Sequence, residues 1–203
     1  HGDIEDTFRP VYDGTMENCD GAFERLAGYL KALGAHEAKA LMFLGDGAKW
    51  IWDAMDTLIE RVGIPKKRVS EVVDWYHAVE VLGEVTDARL HWPEGERQAW
   101  LKKAKKALHA GDIPGLMLLF DELAVGRRAK EVNKHRDYFI GNANRMQYAA
   151  FTAANPGIRP ARWGSIITSS RPRRMRAKSL VQHPSSRAAR NFWYKFSLIG
   201  LGR

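Results

Sequence analysis

Between Leu41 and Ala78 the chain reads LMFLGDGAKWIWDAMDTLIERVGIPKKRVSEVVDWYHA. The apolar run Leu41-Met42-Phe43-Leu44 stops abruptly at Gly45-Asp46-Gly47. Trp50, Ile51, Ala54, Leu58, Ile59 and Val62 then return at three- and four-residue intervals, the period of an amphipathic helix. After Gly63-Ile64-Pro65 a second apolar run, Val69 to Tyr76, ends in Asp74-Trp75-Tyr76-His77. Strand, acidic turn, helix, strand is the order of a parallel α/β unit. Ligands of such units bind in the crevice at the carboxyl ends of the strands. Asp46 stands at one of those ends, which makes it the first candidate functional residue.

The flanking segments are mostly helical in pattern. Residues 1–18 carry turn residues (Pro10, Asp13-Gly14) and read as a loop or irregular edge. Asp20 is the expected N-cap for a helix from Gly21 to Leu33, whose stripe is Phe23, Leu26, Ala27, Leu30 and Leu33, with Gly34 ending it. The spacing then predicts a strand over 39–45, a helix over 47–62 and a strand over 69–75. Residues 77–86 read as helix, His91 to Gly95 as a turn, and Glu96 to Ala110 as a strong helix. Gly111-Asp112-Ile113-Pro114 breaks that helix, with Asp112 or Ile113 near the next N-cap. Residues 115–124 are apolar and helical, and Arg127 to Phe151 is a long helix interrupted at Gly141. The block 82–137 has no strand signal. Its lysine row (Lys102, Lys103, Lys105, Lys106) is read as a solvated helix face rather than a nucleic-acid contact.

The net charge of +8 is unevenly placed. All 24 acidic residues lie at or before Asp137, beside 20 Lys plus Arg, for a balance of −4. From Tyr138 to Arg203 there are 12 Lys plus Arg and no Asp or Glu. A polyanion such as nucleic acid is the natural partner of that ending, with a merely soluble charged tail as the alternative. From Asn155 onward Pro, Gly, Arg and Ser interrupt every candidate element, and only Asn191 to Leu201 regains an apolar pattern. The single cysteine, Cys19, has no internal partner and fits a reducing compartment. No run of eighteen apolar residues exists, so a helical membrane span is excluded on length. The start, His1-Gly2-Asp3-Ile4, shows no signal-peptide pattern and no Met, consistent with a chain that begins inside a longer polypeptide.

Two readings of Asp46 stay open on local pattern. In one it is an N-cap that accepts a backbone N–H, between glycines that permit the turn. In the other it is a metal-binding carboxylate, since Mg²⁺ takes one or two protein carboxylates completed by water and phosphate oxygens. Asp74 offers another oxygen or a supporting bond, and His77 a phosphate contact. For both, capping and local hydrogen bonding near residue 77 is the favoured reading.

FLGDGAKWIWD, followed some twenty residues later by VVDWYHAVEVL, resembles the central portion of bacterial insertion-sequence transposases of the DDE class, nearest the Kra-type group. The upstream HGD…F…AFERLAGYLKALG and downstream HRDYFIGNANRMQYAAF segments resemble the same family, so the likeness spans roughly residues 1–151. It implies an α/β, incomplete RNase H-like fold: a few-stranded parallel sheet, a mainly α-helical insertion and a basic, poorly ordered tail. The corresponding divisions are a partial core over 1–81, the insertion over 82–137, a late core helix over 138–155 and the tail over 156–203. By the same match Asp46 is the second acidic residue of a Mg²⁺ site that cleaves and joins DNA. The implied partner is DNA, reached through Arg171, Arg173, Arg174, Arg176 and Lys178 of the tail, in a bacterial cytoplasm at the nucleoid. A homo-oligomer remains open, and no membrane is involved.

The chain departs from the family twice. It starts after the place of the family's first Asp, and Asp3 and Asp6 lie too far along the pattern to replace it. Where the family has a Gly-Ser-Gly-like turn and its catalytic Glu, this chain reads NPGIRPARWGSIITSSRPRRMRAK. One of three expected ligands is present, so the expectation is a transposase fragment that is inactive alone. The acid-free ending has the character of a GC-rich gene read out of frame from near residue 155. A sheet of only two strands also buries little, so the fragment is expected to be marginal on its own. The alternative function is a non-catalytic nucleic-acid-binding protein that uses the tail, with Trp163, Trp193 and Tyr194 available to stack.

Overall fold

The computed structural model describes residues 19–89 and 91–154 and the backbone of 197–200. Within these the protein is α/β and mainly helical, and the sheet is small. The first helix, α1 (Cys19–Ala32), buries Phe23, Ala27 and Leu30 at four- and three-residue spacing. Strand β1 (Leu41–Gly45) is buried at all five positions, as its unbroken apolar run requires of a strand covered on both faces. Helix α2 (Lys49–Val62) carries the chain back over the sheet with Ile51, Trp52, Met55, Leu58, Ile59 and Val62 inward. It stops at Gly63, whose φ of +79° favours a residue without Cβ. There Ile64 N–H donates to the Ile59 carbonyl at 3.0 Å and Gly63 N–H to Glu60 at 3.0 Å, so two terminal carbonyls of the helix are satisfied.

Strand β2 (Val69–Val73) lies parallel to β1, from Leu41 opposite Val69 to Gly45 opposite Val73. The expected parallel pair is therefore present. The sheet is not purely parallel, however, because a third strand, β3 (Ser197–Gly200), runs antiparallel along the other edge of β1. It comes from the stretch Asn191 to Leu201, where an apolar pattern resumes, and it pairs a β1 edge that would otherwise present bare N–H and C=O groups. The remainder of the expected irregular regions, residues 1–18 and 155–196, lies outside the described residues.

Five helices follow: α3 (Trp75–Asp87), α4 (Glu94–Ala110), α5 (Ile113–Asp121), α6 (Ala129–Gly141) and α7 (Tyr148–Ala154). Asp112 caps α5 by accepting Gly115 N–H at 2.9 Å, with Pro114 in the first turn. The interruption expected at Gly141 is present: the chain leaves α6 there and makes a 3₁₀ turn at Ala143–Arg145 before α7. The divisions expected at 81/82 and 137/138 fall inside α3 and α6. Among the described residues one hydrophobic core runs from Phe23 through β1, β2 and α3 to Phe139 and Tyr148. A file of rings, Trp92, Trp100, Phe120, Phe139 and Tyr138, crosses the helical layer at centroid spacings of 6.0, 5.9, 5.5 and 5.2 Å. The file ends beside the carboxyl ends of the strands. Among the described residues no helix is long and apolar enough to cross a membrane.

Candidate functional site

Asp46 and Asp74 are the residues that immediately follow β1 and β2. Asp74 N–H donates to the Gly45 carbonyl at 2.7 Å, which extends the pairing one step past the strands. The two aspartates thus leave the sheet at the same level. Asp46 is exposed, and its Oδ1 accepts the N–H of Ala48 at 2.9 Å. This is a side-chain turn two residues long, not a helix cap. Helix α2 begins at Lys49, two residues later than the spacing predicts, and its N-cap is Ala48, with no side-chain bond. The N-cap reading of Asp46 is corrected accordingly. Asp74 is the N-cap of α3: its Oδ1 accepts Tyr76 N–H at 2.9 Å, so local capping holds there, two residues earlier than expected. His77 sits in the first turn of α3, 3.7 Å from Glu80 and edge-on to the ring of Tyr138 at 6.1 Å.

Tyr138 of α6 and Asn142, which caps its C-terminus one turn later, close this site from the far side of the sequence. The Tyr138 hydroxyl donates to the Asp46 carbonyl at 2.9 Å, and the Asn142 amide donates to the Gly47 carbonyl at 3.1 Å. Gly47 has φ +87°, and a Cβ there would lie 2.7 Å from Tyr138 Cε2 and 2.8 Å from its hydroxyl. Glycine is needed twice over, for the backbone angle and for the ring. Asn142 is buried, and its amide nitrogen also donates to the Tyr138 carbonyl at 3.0 Å. Two carbonyls facing the amide require its NH₂ on that side. Burial, then the charges of Asp46 and of Asp74, push the Tyr138 phenol well above its ordinary range. It therefore remains protonated and a donor. Tyr148, packed edge-on against Trp75 at 5.0 Å, is raised by burial and then by Tyr138 and Asp74.

Arg145, in the 3₁₀ turn after α6, secures the same region to β2. Its Nε donates to Glu71 at 2.7 Å, and its guanidinium lies over the Trp52 ring at 4.7 Å. Tyr138, Asn142 and Arg145 belong to the segment HRDYFIGNANRMQY, but nothing in their spacing shows that they reach back to the β1 turn. Elsewhere, His135 of α6 is buried with its two ring nitrogens 3.8 Å from Glu84 and from Glu131, one each. Those carboxylates approach from opposite ring edges and do not converge on one point. The four lysines of α4 are exposed, and no carboxylate pairs with them among the described residues.

Of the residues singled out from sequence, Asp46, Asp74 and His77 each lie near Tyr138. Arg171, Arg173, Arg174, Arg176 and Lys178 lie outside the described residues. Asp46, with Asp74 beside it, offers oxygen donors suited to a hard divalent cation completed by water and phosphate oxygens. Among the described residues no three His, Cys, Asp or Glu side chains gather into a metal-holding group. Compared with protein-family models, curated proteins and solved structures, the chain finds no match, so the transposase resemblance rests on its four sequence motifs.

Proposed function

We propose that the chain is part of a DDE-type transposase, with Asp46 as the second acidic residue of the metal site and the sheet as a later portion of an RNase H-like core. The observation that supports this reading is the position of Asp46. It follows a fully buried strand, level with Asp74 on the parallel neighbour, where its carboxylate caps no helix. That is where open α/β sheets bind ligands. Mg²⁺ held by Asp46 would supply charge neutralisation at a phosphodiester, with Asp74 and His77 lining the approach. DNA is the substrate in this reading, and the acid-free ending of the chain supplies the cationic contact through Arg171, Arg173, Arg174, Arg176 and Lys178. Two-metal phosphoryl transfer needs several carboxylates. Only Asp46 matches the family's set, so this polypeptide alone neither cleaves nor joins DNA.

A nicking assay on supercoiled DNA with Mg²⁺ or Mn²⁺ tests the inactivity. Cleavage by the wild type that disappears in Asp46→Ala would overturn it. The genomic DNA around the reading frame tests the ancestry. An upstream Asp-bearing segment, terminal inverted repeats and an alternative frame that restores a Gly-Ser-Gly turn and a Glu are expected, and their absence sinks the reading.

A further inference from the structure

We infer that Tyr138 and Asn142 are positioning residues for the Asp46 carboxylate, holding it through the backbone of its own turn. The inference rests on the reading of Asp46 as a metal ligand. An exposed aspartate on a two-residue turn has little around it to fix its direction, whereas a metal ligand must be placed to within a fraction of an ångström. Here the fixing is done through peptide planes. The Gly47 carbonyl shares a rigid plane with the Ala48 N–H. Asn142 holds that carbonyl at 3.1 Å, and the Ala48 N–H at the other end of the plane is what Asp46 Oδ1 accepts at 2.9 Å. Setting the carbonyl therefore sets the direction from which the carboxylate is held.

Tyr138 does the same one peptide earlier. Its hydroxyl holds the Asp46 carbonyl, which shares a plane with the Gly47 N–H. Its ring also fills the space beside Gly47 where any side chain would stand. With two consecutive planes fixed, one Asp46 oxygen is committed to the Ala48 N–H. The clamp reaches 92 and 95 residues along the chain, so it forms only when α6 is docked against the sheet. At Asp74 the side chain meets the first turn of its own helix, where its Oδ1 accepts Tyr76 N–H.

The test uses the full 203-residue chain as wild type, Tyr138→Phe and Asn142→Ala, with two backbone amides followed by NMR. Ala48 N–H reports the Asp46 bond, and Tyr76 N–H reports the corresponding Asp74 bond outside the clamp. Ala48 is expected to exchange about tenfold faster in Tyr138→Phe, the loss of one net hydrogen bond, while Tyr76 is unchanged. Asn142→Ala should act in the same direction. Mn²⁺, added as the probe, should broaden the Asp46 to Ala48 signals in wild type and require about tenfold more metal in Tyr138→Phe. Unchanged Ala48 exchange, or acceleration of Ala48 and Tyr76 in step, would overturn the positioning role. If Mn²⁺ fails to broaden these signals in wild type, the metal role of Asp46 falls, and the Ala48 and Tyr76 rates still decide the clamp.

Discussion

Asp46 and Asp74 each follow a parallel strand, and each accepts the N–H two residues ahead at 2.9 Å. Their surroundings differ in a way that separates stability from function. The Asp74 bond caps α3, a helix whose inner face (Ala78, Val81, Leu82, Val85) belongs to the core. The Asp46 bond caps nothing, because α2 starts at Lys49 with Ala48 as its N-cap. Yet the Asp46 turn is built with a positive-φ glycine, a tyrosine from α6 and the asparagine that caps it. A carboxylate that local capping explains needs no further purpose. One that does no capping, held by side chains from a distant helix, calls for one.

The largest effect that bears on this contrast is expected at the glycines. Gly47→Ala forces a side chain into the left-handed region and drives its Cβ into the Tyr138 ring, breaking the hydroxyl bond to Asp46. It should cost about 3 kcal/mol of unfolding free energy, the sum of backbone strain, the clash with the ring and one lost hydrogen bond. Gly63→Ala is the control: φ is +79°, but a Cβ there meets nothing within 4 Å. It should cost only the strain, about 1 kcal/mol. Urea denaturation of the two variants checks the difference, and equal losses would show that the Tyr138 packing contributes nothing.

The next effect is expected at Arg145. Its bond to Glu71 and its position over Trp52 join the segment after α6 to β2 and α2, with both charged groups more than half shielded from solvent. Arg145→Ala leaves Glu71 half-buried without its cation and should cost about 2 kcal/mol. If denaturation shows no loss, the α6 side of the molecule is docked by its apolar contacts alone.

How far the sequence carried these conclusions depends on whether the information is local. The parallel β1–β2 pair, the helix between them and the acidic turn follow from a period of apolar residues and two glycines, all within one stretch. The break after Gly141 and the cap at Asp112 are legible for the same reason. The spacing places the start of α2 two residues early, because Gly-Asp-Gly suits a cap as well as a turn, and the φ of Gly47 decides between them. Strand β3 is not legible in the sequence, because a four-residue run shows no partner until an edge is available to pair with it. Tyr138 and Asn142 read as an ordinary helix face, since a contact across more than ninety residues leaves no mark in spacing.

The two smallest effects are the most decisive for function. Asp74→Ala removes an N-cap and should cost about 1 kcal/mol in a denaturation curve. Asp46→Ala removes one exposed bond to Ala48 from a turn that is held independently by Tyr138 and Asn142. It should change stability by no more than about 0.5 kcal/mol, the range of ordinary surface substitutions. A loss at Asp46 as large as that at Asp74 would mean that its carboxylate supports the fold, and its position at the strand end would need no ligand to explain it. A near-zero change, together with loss of Mn²⁺ broadening at Gly47 and Ala48, would leave cation binding as the role its surroundings are built for. The built turn would then remain while the charge it presents is gone.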